Sequence, residues 1–130
     1  MDDDNLKWSL ISVKGIAVRD GSIALACNFR DEWDLPGGKL ESGETLSECL
    51  AREFVEELRV RVSWGRVVDV VHHHFHRNII VVIVGCDSVS GDQLLLSKEH
   101  TDARWVPVEQ LDSLNIIPHY RNAIDLWLED

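Results

Sequence analysis

The spacing of apolar and polar positions predicts four β-strands in the first two thirds of the chain. Residues 8–18 and 22–29 are apolar and β-favouring, and residues 19–21 between them, Arg-Asp-Gly, form a hairpin-turn sequence. Residues 60–71 and 78–86 are rich in β-branched side chains. The second of these segments is so uniformly apolar that we expect it at the centre of a sheet covered on both faces.

Two helices are predicted from their start signals and from apolar positions three and four residues apart. Thr45 and Glu48 have the capping-box spacing, so a helix should run over about residues 46–58. Pro118 suits the first turn of a helix and predicts a second one over residues 119–128. Its core-facing positions would be Ala123, Ile124, Trp127 and Leu128.

The remaining segments complete a β-β-α-β-β-β-α order. Residues 35–38, Leu-Pro-Gly-Gly, predict a sharply turning loop, residues 87–92 a turn-rich connection and residues 104–106 a short strand. We therefore expect an α/β protein, an α/β/α sandwich with a mixed central sheet. One domain covering residues 1–130 is the default for this length, with residues 1–6 as a frayed tail.

The net charge limits the kinds of molecule that the protein could bind, and the cysteine pattern indicates the cellular compartment. Twenty-three acidic and 13 basic residues give a formal net charge of -10, which argues against a nucleic-acid polymer or an anionic membrane as partner. An acidic protein can still bind a phosphate ester through a divalent cation. Cys27, Cys49 and Cys86 form no CxxC pair, and the apolar run at residues 79–84 is too short to cross a membrane, so we expect a cytoplasmic protein.

Three glutamates on the first predicted helix are the strongest chemical signal. Glu53, Glu56 and Glu57 fall within an arc of about 100° on a helix that turns about 100° per residue. Like charges at these spacings repel, so helix stability gives no reason to gather them. An ordinary solvated helix face is the alternative, but a hard cation such as Mg²⁺ or Mn²⁺ would turn the repulsion into shared attraction.

Residues 38–60 resemble the Nudix box, whose pattern is G-x5-E-x7-R-E-U-x-E-E-x-G-U with U a bulky apolar residue. Every defined position matches except that Arg59 stands where the family has glycine. Glycine after a helix adopts a left-handed conformation that costs other residues roughly 1 to 2 kcal/mol, so we expect the helix to end differently here. The resemblance implies a Nudix-type fold and a metal-dependent hydrolase that cleaves a pyrophosphate bond in a nucleoside di- or triphosphate or another nucleoside diphosphate derivative.

The resemblance also implies roles for individual residues. The implied metal ligands are Glu53, Glu56, Glu57 and the carbonyl of Gly38. Arg52 and Glu44 would support the site, because a metal site needs groups that fix the rotamers of its ligands. A carboxylate must accept the proton of the attacking water, and the candidates are Glu53 and Glu99, although Glu99 also fits a solvated loop.

Substrate contacts are expected around the glycine loop and near the last helix. The candidates are Trp33, Gly37, Gly38, Lys39 and Tyr120. Trp33 could stack on a base, and burial at a core edge is an equal alternative. Residues 72–76, His-His-His-Phe-His, would split between the two faces of a strand, so only one set could line a pocket. Substrate contact or a pH-sensitive strand end is favoured over a second metal site.

A noncatalytic Nudix-like module that senses a nucleotide or binds a protein is the alternative function. The intact glutamates argue against it. The segment beyond the box lacks the proline and tyrosine of the ADP-ribose and dinucleoside polyphosphate subgroups and has Phe75 and His76 there, which favours a nucleoside triphosphate. A homodimer is compatible with the sequence but is not indicated by it.

Overall fold

The computed structural model describes residues 10–73, 78–91 and 102–129. Within these residues the strands are β1 (Leu10–Ile16), β2 (Val18–Arg19), β3 (Ser22–Cys27), β4 (Trp33–Asp34), β5 (Gly37–Lys39), β6 (Arg61–His73), β7 (Ile79–Ser90) and β8 (Asp102–Pro107). The helices are α1 (Leu46–Leu58) and α2 (Pro118–Glu129), and a 3-10 helix covers Val108–Ser113.

The strands form two four-stranded sheets. The first sheet has the order β5-β1-β7-β6, in which β1 and β7 are parallel and the other pairs are antiparallel. In the second sheet β3 pairs with β2, β4 and β8, all antiparallel. The mixed sheet predicted from the sequence is confirmed, and β7 lies in its interior as expected.

The two helices cover opposite faces of the first sheet. Below α1 lies one apolar cluster, which includes Val13 and Val84, and below α2 lies another, which includes Ile83 and Ile124. Successive residues of a strand point to opposite faces, so β1 and β7 feed both clusters. The predicted α/β/α sandwich is therefore confirmed.

Helix α1 has the predicted start. The Thr45 side chain accepts from the Glu48 N–H, and the Glu48 carboxylate accepts from the Thr45 N–H at 2.9 Å, so the capping box is complete. Helix α2 is also confirmed, with Ala123 and Ile124 fully buried. Leu128, however, is 36% exposed, in the last turn of the helix, so its predicted place in the core is wrong.

Three predicted boundaries are wrong. The first predicted strand is broken at Ala17 into β1 and β2, and the predicted turn closes the β2–β3 hairpin, with positive φ at Asp20 and Gly21 (50° and 77°). The predicted connection at residues 87–92 is strand up to Ser90, because β7 pairs with the start of β6. The predicted loop at residues 35–38 ends in β5, which pairs with β1. No helix in the described part of the chain is long and apolar enough to cross a membrane.

Candidate active site

Three glutamates line one edge of α1, and the apolar stripe of the helix fixes their position. The stripe consists of Leu50, Phe54 and Leu58, none more than 1% exposed. Because residues three and four apart share a helix face, Glu53, Glu56 and Glu57 lie beside this stripe. Glu57 is only 8% exposed, and no other charged residue in the described segments is as buried. Burial of a carboxylate is unfavourable unless partners compensate for the lost water, so the groups around Glu57 are part of the site.

The backbone of Gly37 and Gly38 lies against two of these carboxylates. The Gly37 N–H donates to Glu57 Oε2 at 3.4 Å. A Cβ atom at Gly38 would overlap with the carboxylate of Glu53, and a Cβ at Gly37, where φ is +143°, would overlap with the Val13 carbonyl. Both glycines are therefore required for this close approach. The loop and helix α1 thus share one edge of the sheet.

Arg52 holds the acidic groups in fixed positions. Its Nε and Nη2 donate to the two oxygens of Glu44, at 2.5 and 3.0 Å. Its Nη1 donates to Glu53 at 2.6 Å and to Glu56 at 3.1 Å, and Nη2 also reaches the Lys39 carbonyl at 3.0 Å. Arg52 is 22% exposed, Glu44 15% and Glu53 13%, so these ion pairs are only partly screened by solvent. One guanidinium therefore joins the helix, the loop and the segment before the helix.

The pairing keeps Glu44 ionised over the physiological range. The hydrogen bond from Arg52, assisted by the Glu41 N–H, lowers the pKa of Glu44 to about 2. The same hydrogen bond raises the pKa of Arg52 above its usual value. Neither group changes its charge near neutral pH, so the Arg52–Glu44 pair is a permanent part of the site.

The donor chemistry of this edge suits a hard divalent cation. Carboxylate oxygens come from α1, and the Gly38 carbonyl, which accepts from the Cys49 thiol at 3.6 Å, comes from the loop. Burial raises the pKa of Cys49 to about 11, so this group remains a neutral thiol. Within residues 10–73, 78–91 and 102–129, no three acidic, histidine or cysteine side chains already point at one centre. Glu53 and Glu56 are turned towards Arg52 instead.

Helix α1 ends in the conformation that the family reserves for glycine. Arg59 has φ 58° and ψ 32°, which is the left-handed region. Its N–H donates to Val55 O at 3.1 Å, which is the hydrogen bond of the αL motif, and the Val60 N–H donates to Phe54 O at 3.3 Å. The expectation of a different helix end is therefore wrong: the arginine adopts the left-handed conformation in place of glycine.

The candidate substrate residues have different environments. Trp33 is 6% exposed, and the guanidinium of Arg104 lies 4.9 Å from its ring centroid, so its environment is that of the burial alternative. Tyr120 is also 6% exposed. Lys39 is exposed, and its carbonyl is engaged by Arg52. Glu99 and the tail at residues 1–6 lie outside the described residues.

Sequence analysis missed Lys14, a partly buried cation on the α2 face of β1. Its backbone pairs with Gly37, and its Nζ lies 6.0 Å from the Tyr120 ring centroid. Burial alone would lower the pKa of Lys14, but the surrounding negative charge outweighs burial and raises it. The groups responsible are Tyr120, Asp34, Glu57 and Glu53. A lone cation in an otherwise apolar strand was the available signal.

Comparisons with known proteins agree with this geometry. A model of the NUDIX domain family matches residues 11–127. A MutT-like protein from Streptomyces ambofaciens is 33% identical over 103 residues, which cover 78% of this chain and 66% of that protein. The nucleoside triphosphatase NudI from Enterobacter sp. (strain 638) is 31% identical over 100 residues, which cover 68% of this chain and 70% of that protein.

The fold is shared as well. The crystal structure of a MutT protein from Methanosarcina mazei Go1 superimposes with a TM-score of 0.78 at 26% identity, covering 93% of this chain and 94% of that one. The predicted enzyme class, a Nudix pyrophosphohydrolase, is confirmed by the family match and these relatives, and hydrolases of this family use divalent metal ions. With the family model spanning almost the whole chain, this protein belongs to the Nudix family.

Proposed function

We propose that this protein is a metal-dependent hydrolase that cleaves a pyrophosphate bond in nucleoside triphosphates. The observation that carries the proposal is the approach of the loop to α1, where Gly38 lies against Glu53 and the Gly37 N–H lies against Glu57. Backbone and carboxylate oxygens then meet at one edge of the sheet. This set of oxygens is the kind that Mg²⁺ and Mn²⁺ prefer.

Each acidic group has a proposed role. Glu53, Glu56, Glu57 and the Gly38 carbonyl would hold the metal. When bound, a divalent metal neutralises phosphate charge and acidifies a coordinated water. Arg52, paired with Glu44, is a positioning residue, because its hydrogen bonds keep Glu53 and Glu56 together on one edge of α1 before a metal binds. Glu53 and Glu99 remain the candidates for the group that accepts the proton from water.

The substrate class is proposed from the relatives and from the chemistry of the chain. One relative is named a nucleoside triphosphatase, and its identity to this chain extends over 68% of the residues. A net charge of -10 disfavours a nucleic-acid polymer or an anionic membrane as partner, but it does not prevent binding of a small phosphate ester with its metal. Cys27, Cys49 and Cys86 are buried, and no disulfide joins them in the described part of the chain, which fits a reducing cytoplasm.

Glu57→Gln and Glu56→Gln test the metal site directly. Each change keeps the shape of the side chain but removes its charge, so we expect kcat/KM to fall on the order of 100-fold or more with Mg²⁺ or Mn²⁺. The substrates are the common ribo- and deoxyribonucleoside triphosphates, and the readout is release of phosphate or pyrophosphate. Glu48→Gln is the matched control on the same helix, because glutamine also supports a capping box.

The same assay separates the enzyme from the noncatalytic module. Turnover that survives in both glutamine variants would disprove the site assignment. If the unchanged protein binds nucleotides but hydrolyses none of them with either metal, the nucleotide-sensing module is the correct function. Loss of turnover in Glu48→Gln as well would point to a folding defect, which circular dichroism of each variant detects.

A further inference from the structure

Lys14 of β1 lies directly beside the glycine loop of the candidate active site. Its backbone pairs with Gly37 in the β1–β5 ladder, and the Gly37 N–H donates to Glu57 Oε2 at 3.4 Å. The two backbones are so close that a Cβ atom at Gly37 would lie 2.8 Å from the Lys14 Cα. One strand pairing therefore separates a lysine from the most buried carboxylate of the site.

The Lys14 side chain lies on the α2 face of the sheet, in mainly apolar surroundings. Lys14 pairs with Ile83 of β7, which is fully buried on that face, and the Lys14 Nζ lies 6.0 Å from the Tyr120 ring centroid. Lys14 itself is partly buried. In such surroundings a charge is screened less than at an exposed position, so its effect on nearby charges is larger.

Negative charge from the candidate metal site acts on this ammonium group. Burial alone would lower the pKa of Lys14, but Tyr120, Asp34, Glu57 and Glu53 together outweigh burial and raise it. Two of these groups, Glu57 and Glu53, are proposed metal ligands. Because the interaction between two charges is mutual, Lys14 acts equally on these carboxylates, and it would repel a cation that they bind.

We propose that Lys14 lowers the affinity of the site for its divalent metal by offsetting part of the carboxylate charge. The inference rests on the proposed metal site and concerns how firmly that site holds its cation. The charge of the ligand set is one of the factors by which a protein adjusts its affinity for a hard cation. Arg52 contributes one positive charge on the α1 side, and Lys14 contributes another from the α2 side. The metal therefore stays exchangeable instead of being permanently bound.

Mn²⁺ binding without nucleotide tests the inference, because electron paramagnetic resonance measures free Mn²⁺ directly. Lys14→Met keeps a long side chain and removes its charge, so the dissociation constant for Mn²⁺ should fall about fivefold. Lys14→Arg keeps the charge and should bind Mn²⁺ as the unchanged protein does. Arg61→Met is the matched control for net charge. Arg61 is exposed on β6, at the edge of the sheet opposite β5, so its loss should change the constant by less than about twofold.

Two further variants make the result decisive. Glu57→Gln identifies the site at which Mn²⁺ is bound, because its affinity should fall by about tenfold or more. Lys14→Gln is a second neutral variant, and it should bind Mn²⁺ more tightly, as Lys14→Met does. Circular dichroism verifies that each variant is folded.

The outcomes separate this inference from the proposed function. Tighter binding in the two neutral Lys14 variants, with Arg61→Met unchanged, would support the inference. Weaker binding would overturn it in favour of a structural role for Lys14, and unchanged binding would overturn it in favour of a role confined to the substrate. If the unchanged protein binds no Mn²⁺, or if Glu57→Gln binds it equally well, the proposed metal site itself is wrong.

Discussion

The two faces of the first sheet treat polar groups in opposite ways. On the α1 side, Arg52 donates hydrogen bonds to Glu44, Glu53 and Glu56. The apolar side chains by which α1 packs on the sheet are almost completely buried. On the α2 side the Nε2 atom of His119 is buried and has no hydrogen-bond partner among the residues that the structure describes, and the last turn of the helix is half exposed. The polar groups of the first face are therefore held by ion pairs, whereas those of the second face are surrounded mainly by apolar and aromatic side chains.

A pair of glycine substitutions tests whether the two faces also differ in rigidity. In Gly15→Ala the new methyl would lie 2.6 Å from Phe54 Cε1 and 2.8 Å from Leu50 Cδ1, both on the buried stripe of α1. We expect the free energy of unfolding to fall by about 3 kcal/mol, because an extra methyl group in a fully packed core forces the backbone to shift. In Gly85→Ala the methyl would meet the Trp127 ring, which is partly exposed in the last turn of α2 and can move, so the loss should be about 1 kcal/mol. Urea unfolding measures both, and equal losses would contradict the comparison.

Replacement of Arg52 tests the ordering of the acidic face. Arg52→Ala removes the group that fixes Glu44, Glu53 and Glu56, and we expect kcat/KM to fall about 10- to 100-fold, as for other supporting residues of metal sites. Arg52→Lys should recover only part of this loss, because an ammonium group does not donate through two parallel N–H bonds. Arg121→Ala, which removes the ion pairs to Asp112 and Asp125 near α2, is the control and should leave turnover unchanged. Similar kinetics for the two alanine variants would show that Arg52 does not position the site.

Arg59→Gly should change the stability of the protein, and this is the smallest of the expected effects. Arg59 is strained because it adopts a left-handed conformation, and glycine would adopt the same conformation without that strain. We therefore expect the free energy of unfolding to rise by about 1 kcal/mol. Arg59→Ala is the matched variant, because alanine keeps the strain and removes only the side chain, so its melting temperature should stay near that of the unchanged protein. A glycine variant that is no more stable than the alanine variant would show that the surroundings, rather than the residue type, set this helix end.

The elements of the fold that were predicted correctly are those whose signals lie close together in the sequence. Helix α1 was predicted with its correct first and last residues because Thr45, Glu48 and the apolar stripe all lie within the helix or next to it, although the conformation at Arg59 was not. The strand up to Ser90 was missed because it depends on pairing with Arg61 and Val62 of β6, and turn-forming residues there suggested a loop. The local sequence does not show which strand a segment will pair with.

The same distinction divides the candidate site. The acidic groups and Gly38 were predicted because the Nudix box is one continuous segment. Lys14 was not, because its Nζ comes near the Tyr120 ring only when α2 packs on β1, and alone it is an ordinary lysine. Contacts between distant segments are therefore what a linear motif does not contain.

The left-handed turn at Arg59 bears on how the Nudix box is defined. The left-handed turn forms here without glycine. A Cβ atom added at Gly91 would lie 3.1 Å from the Arg59 carbonyl oxygen, and Val60, the next residue, is fully buried. In this chain the position keeps the left-handed torsion angles expected of glycine, although the residue is arginine. A pattern that insists on glycine would pass over such chains, whereas one that specifies the acidic residues and these torsions would retain them.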